Sequence, residues 1–408
     1  MDIFEKCYKD GGYLGILRKM KDKYYSRPIL SPYPGTEMEF QGIKTIMWSI
    51  NNYLGLANDE QLKKIAVDAA KEYGYSAPMG SRMLTGNTEL HEALEDKLAK
   101  FEKKESAILF NYGYLGVLGT LSAIVNRSDT IIIDKLSHAC MIDGTFLAGG
   151  KYRFYKHNDM DDLEKQLKAA NKMRRGGILI VTEGVFGMRG DLANLPDICE
   201  LKEKYDARVF VDDAHGCGVM GPNGKGTSEH FGVMDKVDLY FSTFAKSFAA
   251  IGGFTAGDEE VIRYIRYNAR TQIFAKSLPL IYVKVIDATL DVIQNRPELR
   301  KRLWEVATKL QNGLRELGFN LGDTASPITP VYIPAEPEVA MKIIAYLREQ
   351  KGIFVSGVMY PVVPKGIILL RMIPTAAHTD EQIEKTINAF KNLRDVFKLQ
   401  LDSFKVAL

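Results

Sequence analysis

Two short stretches hold residue types that can do chemistry together. The first is Asp212-Asp213-Ala214-His215 and the second is Thr243-Phe244-Ala245-Lys246-Ser247. Each follows an apolar run, Arg208 to Val211 and Leu239 to Ser242, that reads as a β-strand. A carboxylate can hold a pyridine nitrogen protonated, an imidazole can donate to a phenolate, and a lysine amine can form a Schiff base. Taken singly, Lys246 reads as a solvated surface lysine and Asp212 as a helix cap. Lys246, however, sits among Phe244, Ala245, Phe248 and Ala249, where an unpaired ammonium is costly. In open α/β sheets ligands collect at the carboxyl ends of strands, and both stretches fall there.

The elements that must position these groups alternate along the chain. Strand-like runs at Ser106–Phe110, Thr130–Asp134, Tyr152–Tyr155 and Ile178–Val181 are separated by helical spacing. Helices are expected at Glu60–Tyr73, Glu89–Phe101, Met160–Ala170 and Asn194–Tyr205. This pattern predicts an α/β fold with a mostly parallel sheet covered on both faces, a three-layer large domain. After residue 285 helices dominate to about Leu317. Short strands (Pro330–Ile333, Ile367–Arg371) then alternate with helices at Glu338–Gln350 and Asp380–Phe397, which reads as a small C-terminal α+β domain. The expected domains are an N-terminal arm over 1–48, a large domain over 49–285 and a small domain over 286–408. Within the arm a helix over Gly12–Tyr24 precedes an extended segment.

With 408 residues, 46% of them hydrophobic, the chain can bury a substantial core. A net charge of +3 argues against a nucleic-acid surface and leaves room for a local basic patch that receives an anionic substrate. Cys7, Cys140, Cys199 and Cys217 show no CxxC spacing, so reduced thiols and no metal site are expected. The first residues lack a signal-peptide core, and Tyr114–Val125 is too short and glycine-rich to span a bilayer. A cytoplasmic protein without a transmembrane segment follows. Gly221 to Ser228 looks like a nucleotide loop, but Val219 and Gly226 stand where Walker A needs glycine and Ser or Thr. It reads as a turn before a helix.

Several separated motifs resemble the α-oxoamine synthase family of pyridoxal-phosphate enzymes. They are Asn51-Asn52-Tyr53-Leu54-Gly55, Asp212-Asp213-Ala214-His215, and Thr243-Phe244-Ala245-Lys246-Ser247 ahead of Gly252-Gly253-Phe254. The last is most similar to the serine palmitoyltransferase branch, and the likeness runs from about Tyr53 to His378. It implies the fold type I architecture of pyridoxal-phosphate enzymes and pyridoxal 5'-phosphate as cofactor. It implies Lys246 as its Schiff-base lysine, with Asp212, His215 and Thr243 as anchors. It also implies Glu183 and Ser277 in the cofactor site and phosphate on the backbone at Gly113 and Tyr114. His138 is implied as the ring that stacks on the pyridine and as an oxyanion donor. Asn51 and Arg371 are implied for the amino acid, Arg371 as a bidentate carboxylate clamp, and Arg82 as an anion contact.

The reaction implied is decarboxylative condensation of a small amino acid with a fatty-acyl thioester of coenzyme A or acyl carrier protein. The enzyme would be a homodimer with shared sites. Serine-using relatives read Ser-Met-Glu or Ser-Met-Asp after the Glu183 segment, whereas this chain has Gly187-Met188-Arg189. The change opens room at Gly187 and exchanges an acid for the base Arg189, which leans toward cysteate over serine and toward sulfonolipid over sphingolipid synthesis. The rivals are a glycine- or alanine-using synthase, an aminotransferase or aldolase of the same fold, and a non-catalytic partner subunit. Such subunits lack the lysine that this chain has.

Overall fold

Alternating side chains decide the layers. Ile131 and Ile133, Leu179 and Val181, and Phe210 join one core cluster, whereas Ile132, Ile178 and Ile180, Val209 and Val211 join another. Successive residues of a strand face opposite sides, so strands apolar at every position must be covered twice. The computed structural model describes residues 2–9, 23–360, 362–363 and 366–401. The helix expected over Gly12–Tyr24 lies, apart from Lys23 and Tyr24, outside the described residues. The chain divides into two compact units, Leu56–Gly187 with Asp191–Arg300, and the described residues of Met1–Gly55, Met188–Gly190 and Lys301–Leu408.

In the second of these units the segment expected to be extended forms a hairpin, β1 (Glu37–Phe40) and β2 (Ile43–Met47).

The unit spanning Leu56 to Arg300 is built on seven strands: β3 (Ser106–Phe110), β4 (Thr130–Asp134), β5 (Lys151–Tyr155), β6 (Ile178–Glu183), β7 (Arg208–Asp212), β8 (Leu239–Thr243) and β9 (Gly253–Gly257). Their order is β3-β9-β8-β7-β6-β4-β5. Only β9 runs against the others, so the carboxyl ends of β3, β4, β6, β7 and β8 share one edge. The reading of a mostly parallel, doubly covered sheet is thus correct. β9 was not foreseen, because Gly252-Gly253 reads as a turn and leaves little apolar pattern behind it. The helix Leu280–Asn295, which spans the expected boundary near residue 285, packs on the helices Glu60–Tyr73 and Glu89–Phe101 of this unit. The Glu60 helix starts where Asp59 accepts the N–H groups of Gln61 and Leu62 and ends at Gly74 with φ +77°.

The other unit adds β10 (Thr329–Tyr332), β11 (Ile353–Phe354), β12 (Ser356–Val358) and β13 (Leu369–Met372). β11 lies parallel to β2, and β10-β13-β12 form a separate antiparallel sheet. Trp48 stacks on His378 with ring centroids 3.9 Å apart and donates to Thr386 Oγ1 at 3.0 Å. That contact ties the N-terminal segment to the C-terminal helix Asp380–Val396 of the same unit.

Candidate active site

A parallel sheet concentrates polar groups at its carboxyl edge, because each strand must leave the sheet there through a turn. β7 ends in Asp212, only 5% exposed, whose Oδ1 accepts the Ala214 N–H at 3.1 Å. Burial raises the Asp212 carboxyl above its ordinary value, and the nearby charges of Lys246 and His138 oppose that rise. A buried carboxylate beside a lysine and an imidazole is poised to pair with a cationic ring nitrogen.

His138 caps the helix Ala139–Ala148 with its own ring, Nδ1 accepting the Cys140 N–H at 3.3 Å. Burial lowers the imidazole's pKa; Asp212 raises it and Lys246 lowers it further. With Nδ1 an acceptor, the neutral ring carries its proton on Nε2. The His138 N–H donates to Glu183 Oε1 at 2.8 Å, and Glu183 Oε2 accepts the Gly187 N–H at 3.1 Å. Burial, then Asp212, pushes Glu183 up to about 8, while its two oxygens strut the backbone at His138 and Gly187.

β3 leaves the sheet through Asn111 and Tyr112 into the helix Gly113–Ile124, which has no side-chain cap. Its first N–H groups and dipole suit an anion. A Cβ on Gly113 would lie 2.7 Å from Thr243 Oγ1, so only glycine lets the helix start beside the end of β8. Thr243 Oγ1 donates to Gly252 O at 2.8 Å and accepts the Ala245 N–H at 3.3 Å. Tyr114 sits edge-on to His138 with centroids 6.3 Å apart, and its hydroxyl donates to Asp143.

The structure therefore gathers Gly113, Tyr114, His138, Glu183, Asp212, Thr243 and Lys246 along one edge of the sheet, with His215 just beyond Asp212. Cys140 belongs with them and was missed. Its Sγ lies 3.0 Å from His138 Nδ1 and 3.8 Å from Asp212 Oδ2, and burial pushes the thiol's pKa up. Its position two residues after His138, at a helix start, was the available signal.

Three expectations need correction. The Arg82 guanidinium is engaged as a bidentate ion pair with Glu95, at 2.9 and 3.0 Å, and its Nε donates to Asn87 at 2.6 Å. The two side chains are 5% and 4% exposed, so Arg82 holds a buried carboxylate of its own chain. The Ser277 hydroxyl donates to Gly86 O at 2.6 Å and clamps the Gly80–Gly86 loop. Gly187 does not open room either, because a Cβ there would lie 2.5 Å from His215 Nε2, and the imidazole fills that place.

The other unit brings together Asn51 and Arg371. Both terminal guanidinium nitrogens of Arg371, on β13, lie 3.3 Å from Asn51 Oδ1. Arg189 also belongs to this unit. Its neighbour Met188 packs on Tyr332, Val363 and Leu369, and Gly190 O accepts the Ala325 N–H at 3.0 Å. Among the described residues no cluster of His, Cys, Asp and Glu could hold a metal, and no helix is long and apolar enough to cross a membrane.

The pattern of the aminotransferase class I and II family matches residues 43–390. The chain belongs to that family and uses pyridoxal phosphate. It is 49% identical, over 97% of its length and 94% of the relative's, to the cysteate-C-fatty acyltransferase of Capnocytophaga ochracea. It is 39% identical to the 8-amino-7-oxononanoate synthase of Alkaliphilus oremlandii, over 94% of this chain and 96% of that one. The serine palmitoyltransferase structure from S. paucimobilis superposes with a TM-score of 0.90 at 30% identity, covering 98% of this chain and all of that one. The residues present fit the cofactor. The uncapped helix at Gly113 suits its phosphate, the buried Asp212 suits its ring nitrogen, and the amine of Lys246 suits its aldehyde.

Proposed function

We propose that this chain condenses a small polar amino acid, cysteate or serine, with a long-chain fatty-acyl thioester. Carbon dioxide and the free thiol leave, and a 3-keto amine for sulfonolipid or sphingolipid synthesis remains. The observation that carries the reading is the buried Asp212 carboxylate with Lys246 and His138 acting on it at one strand edge.

When bound, pyridoxal phosphate supplies an aldehyde that links to amines and a ring that takes up a carbanion's charge. Lys246 would hold the cofactor, and its free amine would take the proton from the amino acid's α-carbon. Asp212 would accept from the ring nitrogen and keep it protonated. The N–H groups at Gly113 and Tyr114 would bind phosphate, and Thr243, packed against Gly113, would fix where that helix starts. His138 holds its proton on Nε2, where it donates to the oxyanion that forms on the acyl carbon. Arg371 receives the substrate carboxylate through its fork, with Asn51 orienting it. The carboxylate lost as carbon dioxide is the one this pair holds.

Cysteate is favoured over serine because Arg189 replaces an acid with a base and a sulfonate carries a full charge. The name of the Capnocytophaga relative supports that choice. A cytoplasmic homodimer with shared sites, using a coenzyme A or carrier-protein thioester, completes the reading. The test supplies cysteate, serine, glycine and alanine with palmitoyl-coenzyme A and measures carbon dioxide and free thiol. Cysteate turnover with both products is expected. Formation of a keto acid without thiol release would overturn the reading in favour of an aminotransferase.

A further inference from the structure

The carboxyl of Asp213 occupies space that a Cβ on any of three neighbouring glycines would take. A Cβ built on Gly184 would stand 2.1 Å from Asp213 Oδ1, one on Gly216 2.0 Å from Oδ1, and one on Gly226 1.9 Å from Oδ2. Three glycines, one from the loop after β6 and two from the loop after β7, thus enclose one acid. Its Oδ2 accepts the Thr227 N–H at 2.6 Å and the Tyr240 hydroxyl at 3.2 Å, and its own N–H donates to Phe241 O at 2.8 Å. Asp213 is wholly buried. Both loops lead directly to candidate site residues: Gly184 to Gly187, and Gly216 back to His215. Those two residues meet in the close approach that a Cβ on Gly187 would forbid.

We propose that Asp213 is a positioning residue that locks the loop after β6 to the loop after β7 and so seats the His215 imidazole against Gly187. No side chain but a short, planar acceptor fits between three glycines. A carboxyl there does not contact the reacting atoms, so its influence passes through His215. The effect on turnover rests on the proposed reaction; the seating itself does not.

Burial pushes Asp213 up to about 7, so the acceptor oxygen matters more than a full charge. Asparagine keeps that oxygen for Thr227 and Tyr240 and presents its amide toward the Thr227 hydroxyl, whereas alanine removes the hub. Histidine labelled with carbon-13 at Cε1 reports the ring directly in cofactor-free protein, its resonance assigned by loss in His215→Asn. Asp213→Ala should shift the His215 signal, and Asp213→Asn should restore it. If Asp213→Ala does not fold, Tyr240→Phe removes one of the two donors and should move the signal in part. An unmoved His215 resonance in the folded variants overturns the proposal.

In holoenzyme, Asp213→Ala should lower kcat/KM by about 100-fold, the scale of a misplaced active-site group. Added to His215→Asn it should cost little more, because both act through one ring. Fully multiplicative losses would mean a structural role unconnected with His215. Loss of the cofactor's visible band would instead bear on Lys246 and the proposed reaction, and would leave the imidazole measurement standing.

Discussion

At the scale of single residues, function followed types, while partners decided which of those residues are available. Lys246, Asp212 and His138 were legible because each lies at or just after the end of a strand-like run, and strand ends of a parallel sheet share an edge. Arg82 was not, since its partner Glu95 sits on a helix, and nothing in a polar Gly-Ser-Arg loop announces a buried carboxylate. Glu95 also takes the Leu109 N–H at 2.8 Å and Arg266 at 2.9 Å. Arg82→Ala should therefore cost about 3 kcal/mol in denaturant unfolding, the lower end for breaking a buried pair, because Arg266 stays. Amino-acid titration of the folded variant should be unchanged; a weakened titration would return Arg82 to the substrate site. Lys246→Ala should fold as well as wild type, lose the cofactor's visible band and abolish turnover. A band that persists and is fixed to the chain by borohydride would remove Lys246 from its role.

At the scale of elements, the turns after the strands do the positioning. The strand–glycine–helix sequence at Phe110 to Gly113 was readable locally, but its fit against Thr243 was not, because that contact joins β3's exit to β8's end. Gly113→Ala places a Cβ 2.7 Å from Thr243 Oγ1. Moving the turn should weaken cofactor binding by about 1.4 kcal/mol, tenfold in affinity, measured by equilibrium dialysis. Unaltered retention would take the phosphate away from this helix. A second device joins the end of β4 to the loop after β6: His157 lies 3.1 Å from Asp134 and 2.8 Å from Asp191. Burial alone would lower its pKa, but the two carboxylates outweigh that and raise it to about 9. A raised histidine stabilises the fold fully below its unfolded value near 6.5, and that contribution is lost as pH climbs through 9. The stability difference between wild type and His157→Asn should shrink by about 3 kcal/mol between pH 6 and pH 10. A constant difference would show that the ring is neutral throughout.

At the scale of the whole molecule, the candidate residues are distributed over both units. Gly113, His138, Glu183, Asp212, Thr243 and Lys246 fall in the unit from Leu56 to Arg300, and Asn51, Arg189 and Arg371 fall in the other. The chain segment Met188–Gly190 belongs to the second unit while both its flanks belong to the first. That assignment was invisible in sequence, where Gly187-Met188-Arg189 reads as one loop. It separates the two changes that together suggested cysteate: Gly187 packs on His215, and Arg189 falls in the unit that also contains Asn51 and Arg371. Cofactor binding and amino-acid choice should therefore respond to different substitutions. Arg371→Ala should raise the amino acid's dissociation constant, by about 2 kcal/mol or more for a lost charge-assisted pair, and leave the cofactor band unchanged. Arg189→Glu should leave both the band and carboxylate binding in place. It should reduce kcat/KM for cysteate, whose sulfonate loses about 1.5–3 kcal/mol of charged hydrogen bonding, and spare serine. Spectral titration with each amino acid in both variants measures the two effects side by side. If Arg189→Glu lowered cysteate and serine turnover equally, Arg189 would have no part in selection, and the lean toward cysteate would lose its main residue.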